Sequence, residues 1–153
     1  MRRFLGAITL VMALTSIALA TSKPALDTIS VEIGKAGPFT LEMALTYQTR
    51  ARGLMHRTTL APHDGMVFFF PKPAPYKFWM KNTLIPLDML FVDEAGTVVY
   101  IATAKPLSLE MVGPEVAVDT VIELGGGRAA REGLKLGDKV RYATKTHPRT
   151  LAR

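Results

Sequence analysis

Several polar side chains, together with the only tryptophan of the chain, could form a ligand site. An arginine fork binds a carboxylate or another anion through two parallel hydrogen bonds. An indole offers a flat wall on which a ligand can stack. The candidate ligand-binding residues are Arg52, Arg57, Trp79, Asn82, Thr83 and Asp88.

Asp88 is the most constrained member of this group. It lies in the run LDMLFV, where strand alternation places it on the face of Leu90 and Val92. A buried carboxylate needs a cation or several hydrogen bonds, since an unpaired buried charge is very unfavourable. We therefore predict that Asp88 pairs with Arg52 or Arg57. The pair could be a structural clamp or part of a pocket for an anionic or hydroxyl-rich ligand.

Trp79 precedes Lys81-Asn82-Thr83 and follows a loop with three prolines at positions 71, 73 and 75. We expect the indole to close the open end of a β core. Asn82 and Thr83 are expected to satisfy the backbone of the turn into the next strand. A ligand site, if the protein has one, is predicted beside this loop.

Thioether side chains suggest an alternative, an extracytoplasmic copper site, because cuprous ion prefers soft ligands. Two of them, Met43 and Met89, occupy strand positions that predict a core, and methionine commonly fills irregular cores. No M-x-M pair is present. We therefore predict neither a metal site nor a cofactor. The methionines after position 20 are Met43, Met55, Met66, Met80, Met89 and Met111.

A second alternative is a carboxylate-based hydrolase acting on a glycan-like substrate, with a pair drawn from Asp88, Asp93 and Glu123. However, Asp93 precedes Glu-Ala-Gly and predicts a hairpin turn, and Glu123 precedes three glycines and predicts a strand end. Neither Ser30 nor Ser108 lies in a nucleophile elbow, and the chain has no cysteine. No catalytic residue is predicted, and a non-enzymatic binding or accessory module is favoured.

The first half of the chain predicts a hairpin and a short helix before a buried strand. Residues 29–33 and 39–45 alternate apolar and polar positions on either side of the turn Gly-Lys-Ala-Gly. A helix over residues 48–52 is expected between a Thr46 cap and Gly53. The apolar run MVFFF, residues 66–70, predicts a strand buried on both faces, and the three prolines predict that regular structure stops there.

The second half predicts another hairpin, over residues 87–92 and 97–104, and a strand over residues 116–124. One helical turn at 129–132 and a segment over residues 134–140 that introduces a final strand complete the pattern. Many short strands with two helical pieces predict a mainly β (α+β) fold, a compact antiparallel barrel-like or rolled sheet. We expect one domain over residues 28–143.

Six ordered motifs make the chain resemble the DUF192 family of small, often exported proteins. They are RGLM with Arg57, DGM before VFFF, FWMKNT, IPLD, FVDEAG, and the closing ELGGG with GLKLGD. The resemblance spans about residues 40–141 and implies a mostly β fold without an established activity. His56 stands where the family usually has an aromatic residue. The loop LSLEMVGPEVA lacks the cysteine often found there, so a function that needs that thiol is not expected.

Residues 1–20 predict a secretory signal peptide. Arg2 and Arg3 precede an uncharged stretch, and Ala18-Leu19-Ala20 is a small-x-small cleavage site. An uncleaved anchor is the alternative, but the stretch is short for a membrane span and contains Thr and Ser. Cleavage leaves 133 of 153 residues, with residues 21–27 as a linker. We therefore expect a periplasmic or secreted protein that contacts the membrane only through its signal peptide.

The formal charge of +6 does not indicate nucleic-acid binding. Residues 21–140 contain 13 basic and 13 acidic side chains, so the excess lies in the signal and in the last residues. A nucleic-acid surface needs basic groups clustered on the folded face. Residues 144–153 predict a basic flexible tail. We expect a monomer whose partner is a small polar ligand, a glycan or a protein.

Overall fold

The computed structural model describes residues 26–143 as one seven-stranded sheet with two short helices. The mainly β fold predicted from the sequence is confirmed, and the sheet curls into a half-barrel. The elements are β1 (Thr28–Ile33), β2 (Ala36–Ala44), α1 (Tyr47–Arg52), β3 (Asp64–Ala74), β4 (Leu87–Val92), β5 (Val98–Ala104), β6 (Val118–Gly125), α2 (Arg128–Arg131) and β7 (Val140–Tyr142).

The strand order is β5-β4-β6-β3-β2-β1-β7. Both predicted hairpins are present, β1 with β2 and β4 with β5. Five of the six pairings in this order are antiparallel, and β2 with β3 is parallel. The parallel pair needs a crossover, which is formed by α1 and the loop after it. This crossover places α1 against the sheet beside β2.

Backbone hydrogen bonds also join the two ends of the sheet. The amide of Val98 donates to the carbonyl oxygen of Asp138, and the amide of Val140 donates to the carbonyl oxygen of Gly96, both at 2.9 Å. The turn before β5 therefore contacts the segment before β7. These bonds bring the two edge strands of the curled sheet together.

Each face of the sheet packs its own apolar cluster. The first, which we call cluster 1, includes Val31, Leu41, Val67, Leu90 and Ile122. The second, cluster 2, includes residues from β3, β4 and β6 together with Leu54 and Met80: Met66, Phe68, Leu87, Met89, Phe91 and Val121. Because β3, β4 and β6 contribute to both clusters, they are buried on both faces, as continuous apolar strands predict.

Helix α1 begins and ends where the sequence predicts. The Thr46 hydroxyl accepts from the amide of Thr49, and the Thr49 hydroxyl accepts from the amide of Thr46 in a capping box. Gly53 follows the helix with φ of 49°, a left-handed value that favours glycine. Capping fixes the last turn of α1 and the side chains around residues 50–55.

The largest boundary difference from the sequence prediction is at β3. Strand β3 continues through Pro71 and Pro73 to Ala74, but its pairing with β6 shifts register between Phe69 and Ala74. This irregularity accommodates prolines, which cannot donate to a regular ladder. Strand β7 begins at Val140, at the end of the segment expected to introduce it.

The predicted signal peptide, most of the predicted linker and the predicted basic tail lie outside the described residues. Within residues 26–143, no helix has the length and apolar character needed to cross a membrane.

Candidate functional site

Asp88 binds a helix N-terminus rather than an arginine. Its Oδ1 accepts from the Thr103 hydroxyl at 2.7 Å and from the Gly127 amide at 3.0 Å, and its Oδ2 accepts from the Ala129 amide at 2.7 Å. The carboxylate therefore caps α2, whose N-cap residue Gly127 has no side chain to do so. The predicted pairing of Asp88 with Arg52 or Arg57 is wrong, because backbone amides and a hydroxyl satisfy this carboxylate.

Arg57 pairs instead with Glu42 of β2, at 2.6 Å between Nη2 and Oε1. The expected clamp between the α1 region and the sheet exists, but with this other carboxylate.

Arg52 makes no ion pair or hydrogen bond with any described residue. It lies between two cavities and lines both of them.

Trp79 does not close the β core, because the residue is 45% exposed. Lys81 Nζ lies over its ring, 5.2 Å from the centroid.

Asn82 adopts a left-handed φ of 56°. The carbonyl oxygens of Asn82 and Thr83 accept from the amides of His56 and Leu107. The turn predicted at Lys81-Asn82-Thr83 is present, since the Thr83 amide donates to the Met80 carbonyl oxygen at 3.0 Å and the Thr83 hydroxyl donates to that of Lys81 at 3.3 Å. The Asn82 side chain contacts Met55 instead, and Trp79 is left at the rim of a cavity.

This cavity, which we call the aromatic cavity, has a volume of about 210 Å³. It is lined by residues 50–55 at the end of α1, by Phe68 and Phe70 of β3, by residues 76–79, by Thr83, and by Glu123 of β6. Three of the predicted site residues therefore meet here, Arg52, Trp79 and Thr83. Arg57, Asn82 and Asp88 do not line it.

Aromatic rings form much of its wall. Phe70 stacks on Tyr76 with 3.7 Å between centroids, and Phe78 meets Phe68 edge to face at 5.0 Å. These contacts hold the rings in fixed positions, and Trp79 follows Phe78 directly in the chain. The cavity is therefore a preformed, mostly apolar space, which is the usual character of a small-molecule site.

Glu123 is the unusual polar group of the aromatic cavity. Only 5% of the residue is exposed, and its side chain makes no hydrogen bond or ion pair with the residues that the structure describes. A methyl group built at Gly53 would lie 3.8 Å from Glu123 Oε2 and 3.4 Å from Phe68 Cζ. A glycine at position 53 thus leaves space beside the carboxyl group.

Burial raises the pKa of Glu123 from its ordinary value of 4.5 to about 8. Desolvation disfavours the charged form, and no cation or donor offsets it. At neutral pH the group is therefore mostly protonated, so it can donate one hydrogen bond and accept others. A buried acid with a strongly shifted pKa in a cavity is a candidate functional group.

The sequence predicts Glu123 to be a strand-end residue and does not reveal this role. In the sheet it lies between Met66 of β3 and Met89 of β4. Both methionines belong to cluster 2, so Glu123 is an acid on an apolar face. Alternation along β6 places it with Val121, but only the strand order shows its apolar neighbours.

The carboxylate pair considered for hydrolysis is not formed. Asp88 lies opposite Leu124, which belongs to cluster 1, whereas Glu123 lies opposite Met89, which belongs to cluster 2. Directly opposed residues share a face of the sheet, so the two carboxyl groups point to opposite faces. Asp93 instead accepts from the Thr97 amide in the β4–β5 turn, as predicted for a turn residue.

The methionines proposed for copper are dispersed among different environments. Met66, Met80 and Met89 are buried in cluster 2, whereas Met111 is 56% exposed. Met55 lines the aromatic cavity. Within residues 26–143, no three His, Cys, Asp or Glu side chains group closely enough to hold a metal ion.

A second cavity of about 670 Å³ lies on the other side of Arg52, Gly53 and Met55. It is lined by the Arg57–Glu42 pair and by His56, Gln48 and Thr49 among others. Two of its ionic groups, Arg57 and Glu42, are paired with each other, and its unpaired Arg52 is shared with the aromatic cavity. It therefore offers a ligand fewer unsatisfied groups than the aromatic cavity.

Comparison with known proteins identifies relatives of the whole domain. A family model described as DUF192, Uncharacterized ACR, matches residues 29–142. A structure from Sinorhizobium meliloti 1021, described as a candidate transcription regulator, has a TM-score of 0.76 and 35% identity, covering 80% of this chain and 98% of that one. A protein of unknown function from Novosphingobium aromaticivorans DSM 12444 has a TM-score of 0.71 and 36% identity, covering 84% and 99%. No curated protein matches the chain.

Proposed function

The chain belongs to the DUF192 family, and we propose that it is a non-enzymatic binding module whose aromatic cavity holds a small ligand. The observation that supports this most is Glu123, a residue that is only 5% exposed, lines the cavity and has no side-chain partner among the described residues. Among the described residues, no fully enclosed side-chain oxygen lacks a hydrogen-bond partner, so the unpartnered oxygens of Glu123 are accessible from the cavity. A bound ligand would supply the missing hydrogen bonds.

Trp79 and Arg52 belong to the proposed site as rim residues. The indole is half exposed and lines the cavity, so a ligand can cover it. Arg52 lines the same cavity and makes no hydrogen bond or ion pair to a described residue, so its guanidinium is available to a ligand. The aromatic wall would supply affinity, and these polar groups would supply orientation.

We propose that the domain acts outside the cytoplasm. The support is the sequence of residues 1–20, with paired arginines, an uncharged stretch and a small-x-small site. N-terminal sequencing of the protein isolated from its native host tests this. A mature chain that begins near residue 21 is expected, and an intact N-terminus on a cytoplasmic protein would contradict it.

The description of the Sinorhizobium meliloti relative as a candidate transcription regulator is not extended to this chain. Residues 21–140 carry equal numbers of basic and acidic groups. DNA-binding proteins neutralise phosphates with an excess of basic groups on one face, and the sequence of the folded domain does not supply that excess.

A thermal-shift screen of small molecules tests the binding function, because a ligand that binds only the folded state raises Tm. Hits should also change the fluorescence of Trp79, the only tryptophan. They should stabilise the Glu123→Gln variant less than the wild type. The matched control is Glu110→Gln, at an exposed position away from the cavity. If no compound raises the Tm of the wild type, the proposal is wrong.

A further inference from the structure

We propose, on the basis of the proposed binding function, that the ligand of the aromatic cavity is a small organic cation. Its ammonium group would pair with Glu123, and its apolar body would contact the surrounding rings. Three independent observations support this ligand class: the missing partner of the acid, the behaviour of the rings toward cations, and the engagement of the nearby basic side chains.

The first observation is that Glu123 is an acid rather than an amide. A site that needed only a neutral donor and acceptor could use glutamine, which avoids the cost of burying a charge. A carboxylate is needed where a positive charge must be matched. Within the part of the chain that the structure describes, no cation matches it, so the ligand is left to provide one.

The second observation is that the rings at the cavity already attract cations. The Arg50 guanidinium carbon lies 5.4 Å from the centroid of Phe70, and Lys81 Nζ lies 5.2 Å from that of Trp79. Aromatic faces attract cations through the quadrupole of the ring, most strongly where water is excluded. An ammonium ion inside the cavity would meet the same kind of surface in a drier place.

The third observation concerns the basic groups that line the cavity. Arg50 donates to the carbonyl oxygens of Leu45 and Phe69. Lys77 donates to the carbonyl oxygen of Gly113 and pairs with Glu115. These cations are directed to other partners and do not neutralise Glu123. Arg52 is the competing feature, since it could bind an anionic ligand, and the experiment below separates the two classes.

Binding of a cation should release a proton. Burial raises the pKa of Glu123 to about 8, so the empty site holds the acid form at neutral pH. An incoming ammonium stabilises the carboxylate, and the carboxyl proton leaves to solvent. Affinity for an amine should therefore rise as pH increases through about 8, while the amine itself stays protonated. The other ionisable groups lining the cavity are Arg50, Arg52, Tyr76 and Lys77.

Three probes of similar shape test the ligand class: 2-phenylethylamine as the cation, 2-phenylethanol as the neutral analogue and 3-phenylpropionate as the anion. Isothermal titration calorimetry at neutral pH, in two buffers with different ionisation enthalpies, measures affinity and proton release together. The amine is expected to bind at least about tenfold more tightly than either analogue. It should release close to one proton per molecule bound. Both effects should disappear in Glu123→Gln and persist in Glu110→Gln.

The inference is overturned if the amine does not bind, or if its preference over the alcohol survives in Glu123→Gln. Tighter binding of 3-phenylpropionate, lost in Arg52→Ala, would assign the cavity to anions instead. In that case the binding function stands and only the ligand class is wrong. The binding function itself fails only if the broad screen finds no stabilising compound. Proton release in the wild type gives a result even if Glu123→Gln does not fold.

Discussion

Two buried acids lie on neighbouring strands and have opposite surroundings. Asp88 of β4 accepts three hydrogen bonds, two of them from the amides at the start of α2. Glu123 of β6 lies one register position away on the other face of the sheet and accepts none from the described residues. Both are nearly inaccessible, at 1% and 5% exposure.

The difference between the two acids distinguishes a structural carboxylate from a candidate functional one. A carboxylate whose oxygens are all satisfied by the chain itself is held in one arrangement and stabilises it. A carboxyl group left without a partner beside a cavity weakens the fold and gains a partner only when something enters. Burial alone therefore does not identify a functional acid. The absence of hydrogen-bond partners within the protein does.

Asp88→Asn tests the structural side of this comparison and should have the largest effect. The amide NH₂ group would face backbone N–H donors, and the charge-assisted hydrogen bonds would be lost. We expect the free energy of unfolding to fall by about 3 kcal/mol, measured by urea denaturation. Thr103→Val removes a single donor and should cost about 1 kcal/mol. A smaller loss for Asp88→Asn than for Thr103→Val would contradict the capping role.

Glu123→Gln tests the other acid through the pH dependence of stability. The folded state keeps the Glu123 proton up to about pH 8, whereas the unfolded chain loses it near 4.5. The folded state therefore binds more protons in this window, and the wild type loses stability as pH rises from 4.5 to 8. Glutamine does not titrate, so the variant should gain about 1–3 kcal/mol over the wild type between these limits.

The measurement for Glu123→Gln is urea denaturation of both proteins across this pH window. The difference in the free energy of unfolding between the two proteins reports on Glu123, because all other groups titrate in both. Glu110→Gln should follow the wild type, since its side chain is exposed. Parallel curves for the wild type and Glu123→Gln would show that the carboxyl group is well solvated in the folded protein.

Trp79→Ala should change binding and leave stability almost unaffected, the reverse of the pattern expected for Asp88. The indole is 45% exposed, so its removal should cost less than about 1 kcal/mol of stability. The affinity for a cavity ligand, measured by calorimetry, should fall about tenfold with the loss of the rim contact. A large drop in Tm with unchanged affinity would place Trp79 in the core and not in the site.

Substitutions of Arg57 and Arg52, the two arginines among the predicted site residues, should have the smallest effects. Arg57 and Glu42 are partly exposed, at 37% and 25% of their side chains, and such pairs contribute about 0–1 kcal/mol. Arg57→Ala should therefore lower the free energy of unfolding by no more than this, without changing amine binding. Arg52→Ala should leave stability within about 0.5 kcal/mol of the wild type. An effect of Arg57→Ala on amine affinity would show that the second cavity takes part.

Local patterns in the sequence predicted most of the fold. Alternation of apolar and polar residues identified the β1–β2 and β4–β5 hairpins, and Thr46 and Gly53 marked the limits of α1. These signals are local because each depends on neighbouring residues only. The ordered family motifs added the expectation of a mostly β fold, which the family match and the two solved structures confirm.

The site was only partly predictable, because its determinants are distant in the chain. Asp88 finds its amide donors 39 and 41 residues later, and every residue has an amide, so residue type gives no signal. An arginine partner was the more visible choice and was wrong. Glu123 becomes exceptional only once β6 is known to lie between β3 and β4. The rim position of Trp79 likewise depends on how the segment around it packs.

The pairing of β1 with β7 makes folding of this domain depend on the order of its synthesis. Val31 pairs with Tyr142 and Ile33 with Val140, so the first strand receives one of its two neighbours from the last residues of the domain. A nascent chain lacking those residues would present β1 as an open strand edge, to which another chain could add. Contacts between residues so far apart in sequence also slow folding, so any factor that delays aggregation until β7 emerges would raise the yield of native protein.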